Sequence, residues 1–447
     1  MTTAAQERPF ASLAPLDPLI DKCVHCGFCL STCPSYLLLG NEMDSPRGRI
    51  YMMKAGVEDR PEMNVMTDTV VGHFDTCLGC MACETACPSG VRYAPLIEET
   101  RAAIEHHYKR PAGERLFRQL LFLLLPYPAR LRVFALPLFL VNGLRRLPGL
   151  LKMLPLKVRN LIALAPDARV AGLTGSVPER TPATGTPRLR VGLLTGCVQR
   201  VFFGHVNDAT VRVLAAEGCE VLAPRSQGCC GALALHSGRD EEARGFARGL
   251  IAAFEGTNVE AVVVNAAGCG STMKGYGELL QHDPAWAERA RAFAEKVRDV
   301  TEVVAAFDSA RAPRHRLDVR VAYHDACHLA HAQAVRQPPR DVLASIPGLT
   351  ILPIGDSEIC CGSAGIFNLV QPEMAAELGR RKVTKIAEAS PDVVATTNPG
   401  CILQIAAAGR AAGDSRPVFH VVELLDASIR GASLEHHAGR SGPQEQS

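Results

Sequence analysis

The spacing of eight cysteines constrains this chain more than any other feature. Cys23, Cys26, Cys29 and Cys33 form a C-x2-C-x2-C-x3-C-P run ending at Pro34, and Cys77, Cys80, Cys83 and Cys87 repeat it up to Pro88. Two-residue gaps let three thiolates hold three irons of one cubane [4Fe-4S] cluster while backbone N–H groups point at its sulfides. The fourth cysteine of each run is carried to the neighbouring cluster. This assigns Cys23, Cys26, Cys29 and Cys87 to cluster 1, and Cys33, Cys77, Cys80 and Cys83 to cluster 2. All-cysteine zinc sites also use C-x2-C pairs, but four thiols at this density with proline after the last fit zinc poorly. Clusters that share runs in this way are close neighbours, so the unit conducts electrons and need not catalyse.

The chain carries 17 Cys in 447 residues, too few per residue for a secreted disulfide scaffold and far more than an ordinary enzyme needs. Thiols in this number want a reducing compartment. The N-terminal stretch mixes Glu7, Arg8 and Asp17 with prolines and has no apolar signal core, so a cytoplasmic location is expected. Lys+Arg 48 against Asp+Glu 46, with 5% aromatic residues, gives nucleic-acid binding little support. There is no G-x-G-x-x-G after a strand, no G-x-x-x-x-G-K-[ST] and no visible Ser-His-Asp arrangement, so a flavin that oxidises substrate is expected on another chain.

The length allows roughly three domains. The expected fold class is α+β and multidomain: a leader (1–22), an α-helical dicluster unit (23–109), a basic apolar helical segment (110–165), a Thr/Pro/Gly linker (166–189), two α/β parallel-sheet units (190–305 and 318–430) and a loose tail (431–447). Inside the dicluster unit, the helix-like spacing of Tyr36 to Asp75 is expected to break at Pro46 and Gly56. From Lys109 to Asn160 eleven Lys/Arg face one acid, Glu114. Its apolar stretches are cut by Pro or Arg before the roughly 18 to 20 residues that a membrane span requires. Two readings fit this segment: an in-plane contact with anionic lipid or a partner groove, or helices packing their apolar face on the rest of the chain.

The C-terminal half repeats itself. Cys197, Cys229 and Cys269 recur as Cys327, Cys360 and Cys401, offset by 130, 131 and 132 residues, and both CC pairs, Cys229-Cys230 and Cys360-Cys361, are followed by Gly. Copy one reads as strands at 190–195, 220–224 and 261–265 with helices at 207–217 and 240–254. Copy two reads as strands at 320–323, 350–354 and 393–396 with helices at 340–345 and 372–389. In copy one the cysteines fall just past the strand ends, so its four thiols are expected to open onto one edge of a parallel sheet, in a crevice and not a core. Vicinal cysteines cannot both aim at one metal ion without strain, but they can bind different irons of one cluster. A further iron-sulfur centre, a vicinal disulfide switch and plain buried thiols are three readings of these sets. The run His324-Asp325-Ala326-Cys327-His328, with His331, occurs only in copy two; its histidines read as capping and surface residues, or as ligands or proton donors. His25 reads as a packing or hydrogen-bonding residue and Cys219 as a buried thiol.

These features together resemble the iron-sulfur subunits of bacterial respiratory 2-hydroxyacid dehydrogenases, and most of all those of glycolate oxidase, also called glycolate dehydrogenase. Beyond the cysteine runs the resemblance rests on Cys23-Val24-His25-Cys26-Gly27-Phe28-Cys29, Asp44-Ser45-Pro46-Arg47-Gly48-Arg49-Ile50, Thr76-Cys77-Leu78-Gly79-Cys80, Tyr323-His324-Asp325-Ala326-Cys327-His328, Ala267-Gly268-Cys269-Gly270 and Pro399-Gly400-Cys401. It implies two [4Fe-4S] clusters, FAD-containing partner subunits that oxidise glycolate to glyoxylate, and onward transfer to quinone, with peripheral contact at the inner membrane. Corresponding subunits for lactate or glycerol 3-phosphate have a similar pattern. The repeats also resemble heterodisulfide reductase, where a further Cys completes a noncubane cluster. Here Thr272 stands at that place after Cys269, and no second Cys follows Cys401, so a simpler centre or none is expected in the repeats.

Overall fold

Proline placement explains the start of the helical half. The computed structural model describes residues 9–58, 60, 66–135, 162 and 177–434. Pro34 opens the helix Pro34–Leu39 and Pro46 opens Pro46–Val57, at positions where a missing N–H costs nothing. Pro46 thus begins a helix. Gly56 lies inside the same helix, contrary to the expected break, because the Phe10 ring fills the space where a Cβ would stand. That ring also changes the reading of the leader: Phe10, Leu13 and Ile20 are buried in the core of the dicluster unit, against Met53, Phe74 and Leu96.

Helices Asp68–Asp75, Ala82–Thr85 and Tyr93–His107 complete the unit, and helices Ala112–Leu124 and Pro128–Ala135 follow. Leu121 and Phe122 pack against Leu233 and Ile366, and Leu131 packs against Val201, so this part of the basic segment lies on the repeats. Its other face leaves Leu116, Leu123 and Val133 exposed. Residues 136–161, which carry the segment's remaining basic charge, 163–176 in the stretch read as linker, and 435–447 of the tail lie outside the described residues.

The two repeats fold alike. Strands β1 (Arg180–Thr181), β2 (Leu189–Leu193), β3 (Cys219–Leu222), β4 (Ala261–Val264) and β5 (Val297–Asp299) form a sheet ordered β1-β3-β2-β4-β5, parallel except for β1. Strands β6 (Val319–Tyr323), β7 (Leu349–Leu352), β8 (Val393–Thr396) and β9 (Val418–His420) form the parallel sheet β7-β6-β8-β9. Val191 pairs with Val221 and Ala261, and Val321 with Ile351 and Val393, so the register repeats along with the cysteines. The fold class is the expected one, with helices at 240–254 and 372–388 where the periodicity puts them. The short outer strands β1, β5 and β9 lie beyond the strands expected from apolar patterning, and β1 falls within the stretch read as linker.

The copies share one core. Valines of β2, β4, β6 and β8 form one cluster with Val206, Leu214, Leu343 and Leu424, so the helix Val421–Arg430 of copy two lies on Gly204–Ala216 of copy one. Arg212 pairs with the fully buried Asp426 at 2.7 Å across this seam, and Arg314 with Glu217 at 2.7 Å. Removing one partner of the buried Arg314–Glu217 pair costs about 3–5 kcal/mol.

Candidate metal centres

Both N-terminal cysteine runs owe their shape to left-handed backbone at matching places. His25 (φ 52°) and Gly27 (φ 90°) occupy the second and fourth positions after Cys23, and Gly79 (φ 62°) and Met81 (φ 61°) occupy the same positions after Cys77. Alternation of this kind curls successive N–H groups towards one point, a concavity suited to anions such as cluster sulfides. Non-glycine residues pay a strain of order 1–3 kcal/mol there, which the surrounding contacts must offset. His25 is held by Arg47, whose Nη1 donates to the His25 carbonyl at 2.8 Å.

The thiols sort into two hollows. Cys23, Cys26, Cys29 and Cys87 line one with Gly27 and Arg47; Cys33, Cys77 and Cys80 line the other with Arg49; Cys83 and Tyr93 border both. The fourth cysteine of each run thus lies beside the other run's first three. Cys26 is exposed and flanked by exposed Val24 and Phe28, whereas Cys33, Cys77 and Cys80 are buried.

The Asp44–Arg49 stretch ties the second hollow together. Asp44 accepts from Thr76 Oγ1 at 2.6 Å and contacts His73 Nδ1 at 3.0 Å; Ser45 Oγ caps the helix by accepting from Gly48 N at 3.0 Å. A Cβ on Gly48 would lie 2.0 Å from the Glu42 carbonyl oxygen. Arg49, 1% exposed, donates to the His73 carbonyl at 2.7 Å, Thr76 Oγ1 at 2.9 Å and Ser35 Oγ at 3.1 Å. Burial opposes ionisation of Cys77, but the Arg49 and Arg101 guanidiniums outweigh it and hold the thiol below its usual range. Cys77 is thus biased towards thiolate, the form that binds metal, whereas burial pushes the Cys80 and Cys83 thiols up.

In the repeats the thiols form short chains of sulfur. Cys229 Sγ lies 3.5 Å from Cys197 Sγ, and Cys327 Sγ 3.9 Å from Cys360 Sγ. Gly231 (φ 81°) and Gly362 (φ 94°) follow the two CC pairs; a Cβ on Gly362 would lie 2.7 Å from the Ala375 carbonyl oxygen. The surroundings of the two sets differ. Cys197, Cys229, Cys230 and Cys269 line a cavity of about 510 Å³ walled by Leu121, Leu125 and Leu131 from the basic segment and by Leu403 from copy two. Cys327 and Cys360 are buried in a cluster with Leu78, Cys80 and Phe367, so copy two's set faces the dicluster unit and sits in a core. Cys219, outside every set, is fully buried, as read from the sequence.

The histidine run also departs from its surface reading. His324 is fully buried, and one of its ring nitrogens lies with Cys361 Sγ and Cys401 Sγ in a group whose atoms are all within 4.8 Å of one another. His328 Nδ1 lies 3.6 Å from Cys327 Sγ. His331 Nδ1 contacts Thr85 Oγ1 of the dicluster unit at 3.0 Å, while Asp325 is engaged by Arg340 at 2.8 Å through both carboxylate oxygens. Sequence spacing could not reveal the contact of His331 with the dicluster unit, which is some 250 residues away in the chain. Arg101 makes another tie, donating to the Cys77 carbonyl at 2.6 Å and to the His236 carbonyl at 2.9 Å.

Known proteins carry the same parts. Residues 19–91 match the 4Fe-4S dicluster domain family, and residues 191–274 and 321–406 both match the Cysteine-rich domain family known as CCG. A probable glycolate oxidase iron-sulfur subunit of Bacillus subtilis is 37% identical over 90% of this chain and 92% of its own. The glycolate oxidase iron-sulfur subunit of Escherichia coli is 35% identical over 92% and 95%. A lactate utilization protein A of Exiguobacterium is 29% identical over 54% of this chain and 99% of its own. A crystal structure of a hypothetical protein from Helicobacter pylori shares the fold, with a TM-score of 0.55 at 8% identity over 97% of this chain and 78% of that one.

Proposed function

We propose, from the premise that this chain belongs to the family of glycolate oxidase iron-sulfur subunits, that it accepts electrons from an FAD-containing partner oxidising glycolate to glyoxylate and passes them toward quinone. Cys23, Cys26, Cys29 and Cys87 would hold one [4Fe-4S] cluster and Cys33, Cys77, Cys80 and Cys83 the other, each supplying one-electron redox chemistry. Cys327, Cys360, Cys361 and Cys401 would hold a further iron-sulfur centre, and Cys197, Cys229, Cys230 and Cys269 would do so beside the cavity.

The observation that carries this reading is the order of the sulfur sets. The run around Cys26 is exposed between Val24 and Phe28 and offers a partner an apolar rim. The second run is buried, and its Cys80 packs in one cluster with Cys327 and Cys360. Beyond them, copy one's thiols line an apolar cavity large enough for the ring of a quinone. Glycolate gives up two electrons and two protons on becoming glyoxylate, and the quinone takes up the same number, so the balance closes without another reactant. Among the described residues no helix is long and apolar enough to cross a membrane. The exposed Leu116, Leu123 and Val133 near Arg115 and Arg130 support a peripheral contact on the cytoplasmic face of the inner membrane.

The test uses the complex purified without oxygen. Glycolate is expected to reduce a soluble quinone analogue, with lactate turned over far more slowly. Leu233→Trp, which narrows the cavity, is expected to slow quinone reduction markedly while glycolate still bleaches an artificial dye. Equal loss of both activities in a fully iron-loaded variant, or preference for lactate, would overturn the reading in its acceptor or its substrate.

A further inference from the structure

We propose that His324 is a metal ligand of the copy-two centre, binding through Nε2 beside Cys361 and Cys401; this rests on the reading that copy two holds an iron-sulfur centre. His324 is the first residue past β6, and its N–H donates to the Ala395 carbonyl at 2.9 Å, which fixes it at the C-terminal edge of the sheet. Its Nδ1 lies 3.0 Å from the Ser357 carbonyl oxygen. A carbonyl can only accept, so Nδ1 carries the proton and Nε2 the lone pair.

That lone pair is unused. His324 is fully buried, and its Nε2 is buried with no hydrogen-bond partner. An acceptor left buried and unpaired is costly. Two sulfurs share its surroundings: a His324 ring nitrogen and the Sγ atoms of Cys361 and Cys401 lie within 4.8 Å of one another, and Nδ1 is already taken by Ser357. Metal-binding histidines commonly donate the other ring N–H to a backbone carbonyl in this way, which fixes tautomer and ring orientation. The Ser357 carbonyl is itself steadied by the buried Lys382, whose Nζ donates to it at 3.3 Å.

Copy one lacks this donor. Three residues before its first cysteine, Cys197, stands buried Leu194, where His324 precedes Cys327. The two centres therefore differ in ligand set: sulfur alone beside the cavity, sulfur with nitrogen beneath the dicluster unit. A neutral imidazole in a cluster's ligand set raises the reduction potential relative to thiolate alone, which sets the copies apart electronically.

The test is pulsed EPR on the reduced full chain, isolated without oxygen and labelled with 15N-histidine, beside His324→Leu, His324→Gln and His328→Gln. A nitrogen coupling of directly bound strength is expected in the parent chain and in His328→Gln. It should vanish in both His324 variants while the signals of the two cubane clusters persist. About twelve or more irons per chain with no histidine coupling would overturn the ligand while leaving the centre in place. A coupling that survives His324→Gln would do the same. About eight irons and no third signal would overturn the centre itself, and the ligand with it.

Discussion

Arg49 gives the sharpest handle on the relay, because a buried positive charge borders the hollow of Cys33, Cys77 and Cys80. Burial disfavours its charge, yet the nearby Cys77, Tyr93 and Cys33 keep the guanidinium above its ordinary value, so it stays charged. A unit charge roughly 6 Å from a cluster, at an effective dielectric of about 20, is worth about 3 kcal/mol. At 59 mV per tenfold change for one electron, that is about 120 mV. Arg49→Met removes this charge and leaves the Asp44 carboxylate, 3.8 Å from it, without its cation, so both effects lower the potential of the second cluster. A redox titration followed by EPR should show that cluster falling by about 100 mV, with the cluster at Cys23, Cys26, Cys29 and Cys87 moving less. Arg49→Lys keeps the charge and should shift far less. The Met variant also loses three hydrogen bonds, so its iron and sulfide must be counted first. A fully loaded Arg49→Met chain whose second cluster stays within about 20 mV of the parent would refute the electrostatic argument.

Gly238→Ala should loosen the dicluster unit from the repeats, because a Cβ there would lie 2.2 Å from the Arg101 carbonyl oxygen and the backbone is left-handed (φ 77°); thermal unfolding should show a loss of several kcal/mol, and unchanged melting would refute the contact. Cys219→Ala should leave iron and sulfide content unchanged and cost on the order of 1 kcal/mol, since this buried thiol belongs to no set; any loss of iron would contradict the ligand assignment. Burial lowers His420 to about 4, below the roughly 6.5 of an unfolded chain. The unfolded state binds the extra proton first, so stability should fall as pH drops from about 6.5 towards 4, by at most about 3 kcal/mol. His420→Asn should flatten that part of a stability-against-pH curve relative to the parent chain.

Much of the candidate chemistry is written in short stretches. The C-x2-C-x2-C loops close over a few residues, and the left-handed turns at His25, Gly27, Gly79 and Met81 follow from that local geometry. Strands β2, β4, β6 and β8 and the helices at 240–254 and 372–388 are marked by apolar periodicity within single segments. The uniform offset of the C-terminal cysteines is enough to mark two copies of one unit.

The sequence by itself determined the grouping of the cysteines and the repeated α/β unit, because both depend on neighbours along the chain. Tertiary structure decided that copy two's thiols lie under the dicluster unit, that copy one's open into a cavity walled by the basic helices, and that His324 is buried with a free lone pair. The first two arise from packing such as Leu78 and Cys80 against Cys327 and Phe367, and Leu121 and Phe122 against Ile366, where apolar faces distant in the chain exclude water together. Short edge strands such as β5 and β9, three residues each, likewise depend on the sheet they join. Packing of that kind leaves no local period to read, since its free energy belongs to the assembled surface and not to either segment alone.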